Sequence, residues 1–573
     1  MKTFTIDNKY VIAFGSQDAA LKFQLPLSHL IKEKYGDGPY SKIIVTQIIS
    51  FCLDYYADRF EKICQTETSY TFYKMVFWFN EQVTEMRRDK DALTNLPVEI
   101  GFSYFAVYRR VLKMILEQGC SVKMVTGEKI DEKFKERFQA IFDDLLFIGT
   151  SIYSCAENDA EQIMVGDAID VSFDKNDLFE FIRKPYFEYA FRHVVNMNEY
   201  EDSSFVMDET GEEDFIGASK NSFGVDYLDV AQLIGQLLLH HKVKVGEVLV
   251  TDRNDLSTGM NHLFNVSINN AEEFFSGMYF TQNHRHSIKD LVTKPYSINR
   301  FLYRPILIWN IDDKEYCVLG LFSVREAMTS LYLNAFPWCK APDEWAKNEK
   351  FKKFLDKKKE EHDKWLDDAV EKEIKTIDVI FQRNVKAVVG KKKSIRIDDD
   401  KCGQLDFLVI NESTKQIFVI ECKHLLGRYD MASWKIDFYN FTEGNKEKLS
   451  WNANIERKIN WVANNINFVE EHFQLRTKCP ALSITDFKVE GIFIINTPTF
   501  YMYYSDFRIY TFHEVAKVLT NKYIDKEYTL VTIDDDYERT EWIRYPYFKE
   551  KKMFFYDGPD DDCEVDKYGF PIK

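Results

Sequence analysis

Three residues in the C-terminal part of the chain have types and spacing that could do hydrolytic chemistry: Asp406, Glu421 and Lys423. They lie in KCGQLDFLVINESTKQIFVIECKHLLGR (401–428), which reads as two strands around a turn. The first strand is Gln404 to Ile410, the turn is 411–415, and the second strand is Gln416 to Lys423. Ile417 to Ile420 is an unbroken apolar run, as expected of a central strand buried on both faces. Side chains alternate along a strand, so Glu421 and Lys423 share a face while Cys422 points the other way. Folding the hairpin about Ser413 places Asp406 opposite Ile420 or Glu421. Two carboxylates and an ammonium at the rim of an apolar core cost too much desolvation to be casual.

The chemistry that needs this set is metal-assisted phosphodiester hydrolysis. Mg²⁺ takes hard oxygen ligands, binds through one or two carboxylates and keeps several waters. It can polarise a phosphate and lower the pKa of a bound water. A neighbouring lysine can orient the attacking water and stabilise the transition state electrostatically. Whether burial lowers the lysine pKa or the carboxylates raise it is open at this level.

GQLDFLVIN followed by IFVIECKHL resembles the PD-(D/E)xK superfamily, the restriction-endonuclease-like fold. The resemblance covers about 355–520 and implies a metal site built from Asp406, Glu421 and the backbone carbonyl of Cys422. It implies Lys423 acting on the nucleophilic water, and Mg²⁺ or Mn²⁺ as the cofactor. Many relatives carry Gly-Glu ahead of the Asp, where this chain has Gly403-Gln404. Gln404 is then a contact to a metal-bound water or to phosphate rather than a charged ligand. Relatives often add an acid from the preceding helix, and Asp367 and Glu371 both fit the helical spacing, with a slight preference for Asp367. Arg457 and Lys458, on a helix expected over SWNANIERKINWVANNINFVEEHF, are implied substrate contacts. Lys392, between Lys391 and Lys393 and near Arg396, reads equally as a phosphate-backbone contact and as a solvated turn.

The function these residues imply is a Mg²⁺-dependent endonuclease acting on DNA, in the manner of bacterial restriction and phage-defence enzymes. Two other readings stand beside it. One is a catalytically inactive nuclease fold serving as a scaffold or nucleic-acid binder. The other is an RNase or a structure-specific resolvase on the same fold, because substrate choice lives in surrounding loops.

The elements that must hold this site belong to a chain of 573 residues, enough for several cores. The expected fold class is a mostly α N-terminal region followed by an α/β mixed-sheet domain. Its boundaries are 1–215 (helical), 216–340 (mixed), 341–520 (nuclease-like) and 521–573 (acidic extension). Apolar residues at three- and four-residue intervals predict helices over 41–63, 102–118 and 132–153, another from about 176 to 195 broken near Pro185, and one over 227–241. The stretch 203–222 reads as a linker or long loop, 300–323 as a hairpin, and the charged run 341–373 as a long helix with a solvated face or two helices with a break. The tail DGPDDDCEVDKYGFPIK reads as loosely held.

Gly (23) and Pro (13) together are about half their usual share, so long helices are expected. The 47 Phe and 32 Tyr point to large aromatic cores, with an oligomer interface as a second use. The net charge of −17 does not favour nonspecific nucleic-acid binding, which would need a local basic groove. Ten scattered Cys form no CxxC pair, so reduced thiols and a cytoplasmic setting are expected. No apolar run is long enough for a membrane span, no signal-peptide pattern opens the chain, and no Walker or GxGxxG motif appears. His284 and His286 have HxH spacing without a third ligand, and His240-His241 at a helix end needs only the helix dipole to explain it.

Overall fold

Apolar periodicity builds the helices, and the long ones carry the aromatic load. In the computed structural model, which describes residues 2–97, 101–165, 168–183, 210–293, 297–397, 402–428, 430–444, 448–503, 505–524, 527–534 and 537–544, the chain divides into two units. Among the described residues, the first is drawn from 2–182, 210–362 and 431–433, and the second from most of 363–544. Both mix helices with sheet, and both larger sheets contain parallel and antiparallel pairs.

The first unit holds helices Lys42–Thr66, Tyr70–Met86, Gly101–Gly119 and Glu132–Val165. Phe72, Phe79, Phe138 and Phe142 pack as stacked and tilted rings in its core. The sequence reading separated 1–215 from 216–340, but the two stretches share one sheet. Strand Lys123–Met124 runs parallel to Ile306–Ile311, which forms a hairpin with Lys314–Leu319. The hairpin turn takes positive φ at Asp312 and Asp313, the left-handed conformation Asp tolerates best among charged residues. Buried Glu117 pairs with buried Arg300 at 2.9 Å, fixing the helical part to the mixed part.

Two local expectations differ. Its polar, Gly-containing composition predicts a linker or long loop over 203–222, yet Thr210–Phe223 is a helix. Phe215, Ala218, Ser219 and Phe223 recur at helical spacing and are buried, while Glu212 and Glu213 in the first turn suit the dipole. Residues 203–209 lie outside the described residues. The helix expected from about 176 begins instead with strand Phe179–Arg183, paired with Ile169–Phe173; 184–195 lies outside the described residues.

In the second unit, helix α1 (Glu349–Ile374) contributes its last turns. Strands β1 (Ile380–Val385), β2 (Ala387–Val389), β3 (Ser394–Arg396), β4 (Leu405–Asn411) and β5 (Gln416–Lys423) follow. Helices α2 (Met431–Thr442), α3 (Trp451–Asn464) and α4 (Ile466–Thr477) lead to β6 (Lys488–Ile495), β7 (Arg508–Thr511) and α5 (Val515–Leu519). The stretch read as a single helix over 450–473 thus divides at Asn465. The sheet order is β1-β4-β5-β6-β7, with β1, β4 and β5 antiparallel and β5, β6 and β7 parallel.

β5 is the central strand, and both of its faces are covered. Leu366, Val370 and Ile374 of α1 pack with Phe407, Val409, Phe418 and Ile420. Trp461, Val462, Val469 and Phe473 of α3 and α4 pack with Leu408, Ile410, Ile417 and Val419 on the opposite face. Double coverage is why the strand reads as a continuous apolar run instead of an alternating one. Within 521–573, Glu527–Asp534 pairs with Tyr537–Arg544 as an antiparallel hairpin, and the acidic tail lies outside the described residues. No helix among the described residues is long and apolar enough to cross a membrane.

Candidate metal and catalytic site

The β4–β5 turn sets the register. Asn411 closes it: its side-chain oxygen accepts from the backbone of Ser413 (2.9 Å) and Thr414 (3.2 Å), and its amide donates to the Leu519 carbonyl at 2.7 Å. Lys415 takes the positive φ that tightens the return. Phe407 then pairs with Ile420, and one step further Asp406 stands across from Glu421. Asp406 Oδ2 accepts from the Cys422 backbone N–H at 2.8 Å. The two carboxylates therefore share the face that meets α3, and the backbone of Cys422 lies between them.

Glu421 is buried, with only 3% of its surface exposed. Lys423 Nζ lies 3.1 Å from Glu421 Oε2, and Lys458 Nζ from α3 pairs with Oε1. Lys423 also stands over the Trp451 ring at 5.5 Å, a cation–π contact that fixes its direction. Close approach of α3 is needed for this arrangement, and Gly491 in β6 permits it: a Cβ there would collide with Ile459. Lys458 lies in the buried stripe Ile455, Lys458, Trp461, Val462, whereas Arg457 is exposed.

Electrostatics separate the two acids. Burial, then the charge on Glu421, pushes the Asp406 carboxyl up to about 7, against the pull of Lys423 and Lys458. Asp406 still keeps partial access to solvent. Burial disfavours the charge on Lys423, but Glu421 and Asp406 outweigh it and raise its pKa above the ordinary value. Lys423 is therefore a permanent ammonium at neutral pH, which suits orienting a water and stabilising negative charge but not accepting a proton.

The other sequence candidates are placed as follows. Asp367 and Glu371 do not join the pair; both turn to Arg383 of β1, at 3.4 and 3.0 Å, and Asp368 pairs with it as well. Burial raises the Asp367 pKa, and its carboxyl is within reach of the Cys422 thiol. That thiol points to the α1 face, opposite Glu421 and Lys423. Glu371 is held below its ordinary value by hydrogen bonds from Lys375 and Arg383. Gln404 donates to Asn384 Oδ1 at 3.2 Å. Lys392 is exposed at the turn between β2 and β3.

Can these residues hold a divalent ion? Two hard carboxylate donors that face one another across the strands, with the Cys422 backbone beside Asp406, are a suitable start for a donor set. Among the described residues no third acid, His or Cys completes a cluster. Mg²⁺ tolerates this, since it keeps several waters. Trp451 and Lys458 as a contact to Glu421 were missed at the sequence level. The signal for Lys458 was present: a Lys three residues from Ile455 and from Trp461 falls in the apolar stripe. Compared with known proteins, the chain matches no family model, no curated protein and no solved structure.

Proposed function

We propose that the second unit is a Mg²⁺- or Mn²⁺-dependent phosphodiesterase of the PD-(D/E)xK type that cleaves DNA. The observation that carries this is the cross-strand pair Asp406–Glu421 around the Cys422 backbone, with Lys423 beside it. Asp406, Glu421 and the Cys422 carbonyl would hold the ion, which when bound polarises a phosphate and acidifies a water. Lys423, kept charged by both acids, positions the water and offsets the charge that develops on the phosphoryl oxygens. A setting in restriction or phage defence, with a homo-oligomer cutting two strands, is the finer form of the proposal. It rests on the sequence resemblance.

The test is cleavage of supercoiled DNA, and of single-stranded RNA in a parallel arm, with Mg²⁺ and with the Asp406→Ala and Lys423→Ala variants. Cleavage of DNA by the natural protein and its loss in both variants is expected. Equal cleavage by all three would remove the site assignment, and cleavage of RNA alone would move the substrate.

One observation favours a second reading, a non-catalytic module on the same fold. Both oxygens of Glu421 are already engaged by lysines. Mn²⁺ titration separates the two readings: absence of binding that depends on Asp406 and Glu421 supports the module.

A further inference from the structure

Lys458 is an ammonium in a core position. Its neighbours in the stripe, Ile455, Trp461 and Val462, are apolar and buried, and Lys458 itself is 6% exposed. Burying such a charge is strongly unfavourable unless a counter-charge meets it. The counter-charge is Glu421 Oε1, while Lys423 takes Oε2. Counted as formal charges, Asp406 and Glu421 are balanced by Lys423 and Lys458. The site is thus electrically complete with no ion in it. A divalent cation entering this balanced cluster adds two positive charges where the dielectric is low, and at Glu421 it meets oxygens already engaged by Lys458 and Lys423.

We infer that Lys458 is an internal competitor for the metal: its ammonium holds Glu421 in the metal-free protein, and a divalent cation binds by displacing it from Oε1. This rests on the metal-site reading given above. Lys423 and Lys458 then have different jobs despite touching the same carboxylate. Lys423 comes from the strand itself, two residues from Glu421, is braced by Trp451 and stays beside the reacting centre. Lys458 comes from a separate helix, so its withdrawal leaves the strand register and the Asp406 contact to Cys422 in place. A balanced metal-free site keeps the fold intact when the ion is scarce, and its cost is weaker affinity for the ion. Arg457, one residue away but exposed, has no part in this competition.

The experiment is calorimetric titration of the metal-free full chain with Mn²⁺, beside melting curves with and without the ion. Lys458→Met removes the competing charge while keeping length and apolar packing. It should bind Mn²⁺ about tenfold or more tighter than the natural protein, in line with the loss of one adjacent like charge. It should also melt lower than the natural protein without Mn²⁺ and gain more from the ion. Lys458→Arg, which keeps the charge, should bind within about twofold of the natural protein. Lys458→Gln makes the same comparison if the apolar variant does not fold. Measurable Mn²⁺ binding by the natural protein with unchanged or weaker binding in Lys458→Met and Lys458→Gln overturns the inference and leaves the metal site standing. No binding by any of the proteins removes the metal site and the inference with it.

Discussion

Glu326 in the first unit and Asp406 in the second both sit in ionic clusters with little solvent, yet they are pushed in opposite directions. Glu326 is a carboxylate gripped by cations: Lys113 lies 2.7 Å away, Arg87 3.2 Å, and Arg109 also pairs with it, while its charge reaches the buried Glu81 as well. Burial would raise its pKa, but Lys113 and Arg109 outweigh burial and hold it well below the usual carboxylate range. Burial lowers Lys113 to about 8 even with Glu326 beside it. For Asp406 burial, and then the carboxylate of its cross-strand neighbour Glu421, outweigh Lys423 and Lys458 and raise its pKa to about 7. A carboxyl surrounded by cations is satisfied and structural. A carboxyl that is buried beside another carboxyl holds its proton more tightly even with two lysines close by, which makes it the more responsive of the two to any added positive charge.

Variants sharpen this contrast, and the largest effect is expected at the second cluster. Asp406→Ala should lower Mg²⁺-dependent cleavage by about 10⁴-fold or more, while Glu326→Gln should leave the rate per folded molecule unchanged. The reverse holds for stability. Glu326→Gln strands two buried cations, Lys113 and Arg109, and should cost about 3–5 kcal/mol in urea unfolding. A loss below about 1 kcal/mol would mean that the first cluster is not structural.

The pH dependence carries the next effect. The Asp406 pKa is about 7 folded against roughly 3.9 unfolded, so the folded state binds the proton more tightly. Its contribution therefore turns unfavourable as pH rises from about 4 to 7, and above 7 the penalty is complete. Asp406→Asn keeps an acceptor for the Cys422 N–H and removes that penalty. In chelator it should stabilise the second unit by about 1–3 kcal/mol at pH 8 and by far less near pH 4, read from paired melting curves. Equal gains at both pH values would contradict the electrostatic account. The smallest effect is expected at Arg457, exposed on α3. Arg457→Ala should weaken DNA binding by less than about 1 kcal/mol and reduce the salt slope by about one.

Much of the second site was legible because strand rules are local. Alternation put Glu421 and Lys423 on one face, and the hairpin count left only Ile420 or Glu421 opposite Asp406; the Phe407–Ile420 pairing selects Glu421. The helix acid was not legible. Asp367 and Glu371 have suitable spacing, but Arg383, brought to them by the β1–β4 pairing, engages both. Helical spacing places a residue on a face without saying which strand residue will meet it. Lys458 was half legible, since it was grouped with Arg457 although only one of the two neighbours can face the sheet. The first unit was the hardest. Pairing Lys123–Met124 with Asn310–Ile311 joins stretches far apart in sequence, and no local periodicity encodes that.

The central claim is that Asp406 and Glu421 hold one divalent ion. Anomalous diffraction from crystals soaked in Mn²⁺ tests it most directly. The account predicts a single peak between the two carboxylates beside the Cys422 carbonyl, with Lys458 withdrawn from Glu421 Oε1. Crystals that take up Mn²⁺ elsewhere, or none, while Glu421 stays paired with both lysines would contradict it.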